Sequence, residues 1–200
     1  MGTVPDPTAT NERIAVVIGS TRPQRICTGI AQWVLDAAQE GSPLQYELLD
    51  LAAVGLPFLD EPRMAALGQY EHEHTRAWSR TVSSYGGFVF VFPQYNWGYP
   101  APLKNALDFL HREWSGKPAT SVTYGTRGGA RAADQFREVL TGLHLHTLQD
   151  RLELVITKAD LDEEWQLKDL DAVMGPYREQ TRAIDAQLLE ALKGSDRADG

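Results

Sequence analysis

The sequence predicts an α/β domain built on a doubly wound five-stranded parallel sheet, order 2-1-3-4-5, with helices on both faces. Three observations predict it. Short apolar runs alternate with segments of helical period, as successive βα units require. One run, FVFVF at Phe88–Phe92, is apolar at every position, so both of its faces must be covered. The three loops richest in glycine and unusual polar residues each follow a strand, at the carboxyl edge where such sheets bind ligands.

Element by element, Arg13–Ile18 reads as the first strand. Ile26, Ile30, Trp33 or Val34, and Ala37 then recur at helical spacing and stop before Gly41. Leu44–Leu49 is the second strand, followed by the loop GLPFLDEP at Gly55–Pro62. Gln69–Ser84 reads as a polar-faced helix carrying Tyr70, Ala77, Trp78 and Val82. After the central Phe88–Phe92 strand, Leu103, Leu107, Leu110 and Trp114 form one helical stripe. Thr120–Tyr124 is the fourth strand, and Ala130–Leu140 a helix with Phe136 and Leu140 facing inward. Leu143–Leu148 and Leu152–Ile156 suit an edge strand and its extension; Tyr177, Thr181, Ile184, Leu188 and Leu192 make the last helix.

The division expected is a flexible N-terminal tail at 1–12, a single domain at 13–193 and a flexible C-terminal tail at 194–200. The N-terminal tail lacks the apolar core of a signal peptide. A formal net charge of −8 argues against nucleic acid as a partner. No apolar run is long enough to suggest a membrane span. One cysteine, Cys27, allows no internal disulfide and fits the cytoplasm. A low-molecular-weight phosphatase loop would place arginine six residues after Cys27; Trp33 stands there, so Cys27 reads as packing. His72, His74, His111, His144 and His146 lack zinc-site spacing, and no metal is expected. Neighbours such as Glu163 and Glu164 read as wetted helix surface.

The first of the three loops, GSTRPQRICTG at Gly19–Gly29, supplies the hydroxyls of Ser20, Thr21 and Thr28 and the guanidinium groups of Arg22 and Arg25. It opens onto a helix N-terminus, which favours a phosphate. Neither a Walker loop nor a dinucleotide fingerprint is present, so Asp50 reads as a capping or turn residue rather than a ribose ligand. The second loop begins PQYNWG at Pro93, where Asn96 and Gly98 tolerate unusual backbone angles and Tyr95, Trp97 and Tyr99 offer rings. The third, YGTRGG at Tyr124–Gly129, lets backbone approach a ligand closely. A phosphate end beside a planar end describes FMN.

These residues also resemble the NAD(P)H-dependent FMN reductases of flavodoxin-like fold. The matching elements are GSTR at Gly19–Arg22 with Arg25, PQYN at Pro93–Asn96 running into PLKNALD at Pro102–Asp108, WSGKP at Trp114–Pro118, and Tyr124, Gly125, Gly128 and Gly129. They span roughly Arg13 to Leu145 in family order. Gln94 departs from the family's commoner glutamate, and Tyr85–Gly86 from an Ala-Asp pair. The resemblance implies that Ser20, Thr21, Arg22, Arg25 and Thr28 hold the FMN phosphate. It implies that Pro93, Gln94, Tyr95, Asn96 and Trp97 line the isoalloxazine, with Tyr124, Gly125 and Gly128 at its pyrimidine side. It further implies NADPH or NADH as hydride donor, a small-molecule acceptor such as free flavin or a quinone, and a homodimer or homotetramer in contact through Leu103–Trp114. No residue is assigned as a proton donor, since the cofactor carries the chemistry. The alternative is a flavodoxin-type electron carrier or a flavin-binding protein that does not itself oxidise NAD(P)H.

Overall fold

The structure, a computed structural model, describes residues 12–195. The tails read from the sequence therefore lie almost wholly outside the described residues, although the last helix runs on to Ser195, past the expected boundary at 194. The chain alternates β1 (Arg13–Ile18), α1 (Cys27–Gln39), β2 (Gln45–Asp50), a single turn α2 (Leu51–Val54), α3 (Glu73–Ser83), β3 (Gly87–Pro93), α4 (Ala101–Asp108), β4 (Pro118–Gly125) and α5 (Ala130–Gly142). The edge strand follows in two pieces, β5 (His146–Thr147) and β6 (Leu152–Val155), then α6 (Leu170–Met174) and α7 (Arg178–Ser195).

All strand pairs are parallel, in the order β2-β1-β3-β4-β5, with β6 also pairing β4. The expected doubly wound order is the observed one. Alternation along the central strands divides the core in two. Ile14, Val16, Ile18, Val89 and Val91 face α1 and α7, whose Ile30, Val34, Ile184 and Leu188 pack on them. Ala15, Val17, Phe88, Phe90 and Phe92 face the other way, against Trp78, Leu103, Leu107 and Phe136 of α3, α4 and α5. Every residue of β3 is buried, as its unbroken apolar run requires.

Three differences from the sequence reading have physical causes. The helix expected through Trp114 stops at Asp108. The Trp78 indole takes Ala106 O (2.8 Å), the carbonyl a further turn would use, and Leu107 O instead accepts the Leu110 amide (3.3 Å) in a tighter turn together with the Trp114 indole (3.1 Å). Leu110 and Trp114 are still buried, but from turns rather than a helix. The helix expected from Gln69 begins at Glu73, because Glu61 accepts the Glu71 and His72 amides and holds the preceding chain in a turn. The edge strand is interrupted because Thr120 Oγ1 donates to Asp150 O (2.6 Å) while Gln187 of α7 grips the Asp150 carboxylate (2.7 Å).

Lys117, at the entry to β4, donates to Val82 O (2.8 Å) with its Nζ 5.6 Å from the Phe88 ring centroid. Burial pushes its pKa down to about 8 from an ordinary 10.5. Between those values the unfolded chain binds more protons, so the stability contributed by this residue rises with pH. The expected outcome is that wild type gains thermal midpoint relative to Lys117→Met as pH goes from about 7.5 to about 10. A pH-independent difference between the two melting curves contradicts the assignment.

Candidate functional site

The site lies outside the carboxyl ends of β1, β3 and β4, where β1 sends its chain to one side and β3 to the other. Gly19 leaves β1 through a tight gap. A Cβ there would stand 3.1 Å from Phe92 Cβ, from Val91 O and from the Leu103 side chain. The chain therefore turns tightly, and Ser20 is buried with its hydroxyl 3.1 Å from that of Tyr95, tying the first loop to the second.

The two arginines have different duties. Arg25 forms an ion pair with Asp50, whose other carboxylate oxygen accepts the Ala52 amide (3.0 Å) and caps α2. Asp50 is thus the capping residue expected, with Arg25 as its second partner. Arg25 Nε is buried without a hydrogen-bond partner, a donor whose burial costs free energy until something accepts from it. Arg22 is exposed, and among the described residues its guanidinium has no ion-pair or hydrogen-bond partner. α1 starts directly behind this loop with Ile26 as N-cap, so no side chain caps its first amides. Thr28 is exposed in that first turn. Thr21 lines a separate groove of about 340 Å³ with Leu51, Leu56, Pro102 and Asn105. Cys27 is buried, donates its thiol to Val91 O (3.2 Å), and is pushed up to about 11 by burial, which keeps it a thiol. It is a packing residue.

In the second loop, Tyr95 and Gly98 exchange backbone hydrogen bonds of 2.8 and 2.9 Å around Asn96 (φ 49°) and Trp97 (φ 72°). Positive φ at both central residues is the geometry of a type I′ turn, unusual for a tryptophan. Trp97 stays 61% exposed, with the Arg131 guanidinium 3.7 Å above its ring. Gln94 is occupied by the fold itself. Its backbone N–H donates to Tyr124 O (3.0 Å), and its side-chain Oε1 accepts the Ala132 amide (3.2 Å) at the start of α5, where the N-cap is Gly129.

In the third loop, Tyr124 is buried against Cys27, and desolvation drives its hydroxyl far above the ordinary phenol range. Gly128 and Gly129 both have positive φ, and a Cβ on either would stand 3.0 Å from Glu153 or Thr123 respectively. Gly128 therefore faces β6, and its glycine identity answers to packing. Gly125 is half-buried at the end of β4.

Five expected residues meet at one cavity of about 140 Å³: Arg22, Arg25, Pro93, Tyr95 and Tyr124. Ser20 joins them through its bond to Tyr95, while Thr21, Thr28, Gln94, Asn96, Trp97, Gly125 and Gly128 do not line it. Four lining residues escaped sequence reasoning: Gln24, Ile26, Leu161 and Trp165. The last two come from a hairpin after β6, closed by a Leu161–Leu167 bridge, in the acidic stretch read as helix surface. Nothing in the local pattern there announced a site. The histidines pair elsewhere: His74 meets Asp60 (2.9 Å), and the His72 and His74 rings stack. Among the described residues no three His, Cys, Asp or Glu gather where they could hold a metal ion, and no helix is long and apolar enough to cross a membrane.

Residues 13–158 match the family described as NADPH-dependent FMN reductase. The chain belongs to that family. By class it is an FMN-using, NAD(P)H-dependent oxidoreductase. It is 46% identical over 129 residues to an NAD(P)H-dependent FMN reductase of Schizosaccharomyces pombe, a match covering 64% of each chain. It is 39% identical over 147 residues to one of Saccharomyces cerevisiae, covering 68% of this chain and 77% of that one. An NADPH:quinone oxidoreductase of Arabidopsis thaliana is 32% identical over 139 residues, covering 67% and 69%. In structure the chain is similar to the flavoenzyme NAD(P)H:(acceptor) oxidoreductase of Paracoccus denitrificans, with TM-score 0.68, 20% identity, and 90% and 98% of the two chains covered. Flavodoxin 1 of Bacillus cereus shares the fold at TM-score 0.52 and 13% identity, covering 89% of this chain and 97% of that one.

Gln94→Ala leaves α5 without its cap and is expected to cost about 1 kcal/mol, or ~2–4 °C in thermal midpoint. Gln94→Glu keeps an acceptor there, adds favourable charge at a helix N-terminus and restores the loss. Thermal denaturation of both variants checks this.

Proposed function

We propose that FMN binds outside β1, β3 and β4. Its phosphate sits among Arg22, Arg25, Ser20 and the opening amides of α1, and its ring system along the 93–98 turn and Tyr124. Thr21, Thr28, Gly125 and Gly128 stand at the margin of this arrangement. The observation that carries it is the cavity where Arg22, Arg25, Pro93, Tyr95 and Tyr124 converge beside a buried Arg25 Nε that lacks an acceptor. A phosphate oxygen is the acceptor that position calls for, and the uncapped start of α1 favours the same charge. The residues present fit the cofactor of the family.

FMN held there would supply the redox chemistry, hydride uptake from NADPH or NADH and delivery of electrons to a small acceptor, a quinone or free flavin being the class the relatives' names suggest. The chain's part is to hold and orient. Arg22 supplies the uncompensated positive charge, while Asp50 fixes Arg25 and lowers the net charge that this arginine offers. The Ser20–Tyr95 bond holds the phosphate loop in register with the turn that carries Trp97. Tyr124 and Cys27 both have their pKa raised by burial, so neither can serve as a base at neutral pH. The cavity thus contributes shape and positive charge, and hydride transfer requires no proton relay from it.

The test is an anaerobic titration of the protein with FMN and then NADPH, followed by the flavin absorbance band. Saturable bleaching supports the reductase reading, and binding without bleaching supports the carrier. Arg22→Ala is expected to weaken FMN binding about tenfold or more with an unchanged thermal midpoint. Equal FMN affinity in wild type and Arg22→Ala removes the phosphate assignment.

For assembly, we propose a homodimer, in the cytoplasm, with no nucleic-acid partner in view of the chain's acidity. Phe58 (86% exposed), Leu59, Met64 and Leu67 stand out on one loop. That loop is strapped to α4: Asn105 donates to Pro57 O (2.7 Å) and accepts the Leu59 amide (2.9 Å). Ordered apolar side chains left in water on one segment are what a second copy of the chain covers. Phe58→Asp is expected to move sedimentation from dimer to monomer while the isolated fold persists. A monomeric wild type overturns the proposal.

A further inference from the structure

The hairpin over the cavity carries an inference that rests on the FMN reading and deepens it. Thr157 and Asp160 cap each other at its base, and Leu161, Leu167 and Leu170 pack on the α1 side of the core. Its tip is closed by Asp162, whose amide donates to Gln166 O (2.9 Å) and whose carboxylate accepts the Gln166 amide (2.8 Å). The Gln166 side chain then donates to Gln24 O (3.1 Å), so the tip is fastened to the phosphate loop itself. Between these anchors sits Trp165, at φ 61° and 62% exposed, lining the cavity with Arg22 and Arg25.

A tryptophan is a poor occupant of that backbone position, where the left-handed region suits glycine or asparagine. Its ring is not committed elsewhere in the fold either. The buried Trp33, Trp78 and Trp114 each donate their indole N–H to a protein acceptor, whereas the exposed Trp97 has its ring under the Arg131 guanidinium. Among the described residues, the Trp165 indole has no such acceptor. The backbone is held, with the Trp165 amide donating to Asp162 O (3.2 Å), while the strained residue's ring makes no hydrogen bond within the described fold, a combination that suits contact with a ligand. The family match ends at residue 158, so the hairpin lies beyond the segment on which membership rests.

We propose that Trp165 is a binding residue for the phosphate end of the flavin: it walls the cavity together with Arg22 and Arg25 and makes the site select phosphorylated flavin over riboflavin. An indole combines one N–H donor with an apolar face. It can donate to a phosphate oxygen while shielding the Arg22 and Arg25 charges from water, which strengthens their attraction for a dianion.

The deciding variant is Trp165→Gly, because glycine accepts the positive φ and removes the ring without straining the hairpin. Its thermal midpoint is expected to equal or exceed that of wild type. Equilibrium titration followed by flavin fluorescence should show FMN bound about tenfold more weakly than by wild type, with riboflavin affinity unchanged. Trp165→Phe, which keeps a ring but no N–H, should fall between the two. Unchanged FMN affinity in Trp165→Gly overturns the proposal, and so does an equal loss for FMN and riboflavin, which would put the ring against the isoalloxazine. Failure of wild type to bind FMN at all would instead strike the parent reading.

Discussion

The site exists because β1 and β3 are apolar on both faces. Val16 and Val91 need the α1 and α7 layer as much as Val17 and Phe90 need α3, α4 and α5. A sheet covered on both sides, with β2 and β3 flanking β1, must send its connections in opposite directions at that boundary. The loops leaving β1 and β3 therefore part company and leave a crevice that no core side chain fills. The loop residues and the strand ends Pro93 and Tyr124 decide its chemistry. Gly19 shows how tightly the two levels are coupled, since the residue that starts the loop after β1 has Phe92 and Leu103 of the core within 3.1 Å of where its Cβ would be.

Within the crevice, electrostatics separates residues that look equivalent in the sequence. Two arginines three positions apart suggest a symmetrical clamp. In the fold, Asp50 at the end of β2 holds Arg25 and simultaneously caps α2, so one carboxylate joins three elements. Arg25 becomes a scaffold whose remaining Nε is buried without a hydrogen-bond partner. Arg22 is exposed and, among the described residues, carries its charge without an ion-pair partner, in a chain of net charge −8. The division favours selective binding, because two free guanidinium groups would attract any phosphate, whereas one free group beside a fixed donor has shape as well as charge.

Much of this was legible in the residues. Phe88–Phe92 could be read as a central strand because burial on both faces leaves no polar position, and the order of the sheet followed from the alternation. The loops after β1 and β3 could be read because glycine, proline and arginine have steric and electrostatic consequences that are local. What escaped depended on partners far along the chain. The end of α4 coincides with the indoles of Trp78 and Trp114 bonding to two carbonyls, and no helical period records such a bond. Gln94 reads as a ligand contact alone, and its second task, capping α5 almost forty residues later with its carboxamide oxygen, is not visible in the pattern. Leu161 and Trp165 reach the cavity only because the chain, after completing the sheet edge, folds back over the first loop. Sequence patterns report a residue's neighbours in the chain, and these residues are defined by their neighbours in space.

Backbone strain follows the same map. Of the five non-glycine residues with positive φ among those described, Gln24 and Trp165 line the cavity, and Asn96 and Trp97 form the turn beside it. Only His144 lies elsewhere. Each such residue costs of order 1–3 kcal/mol when its side chain is bulky, which is appreciable against the marginal stability of any domain. The rest of the fold must over-determine these conformations: Tyr95 and Gly98 lock one turn by paired backbone bonds, and Asp162 and Gln166 lock the other. Rings held in this way lose no rotational freedom of the backbone when a ligand arrives, so less of the binding free energy is spent on ordering the site. The strain is concentrated where preorganisation is useful, and the core, with its unbroken apolar strands, is stable enough to sustain it.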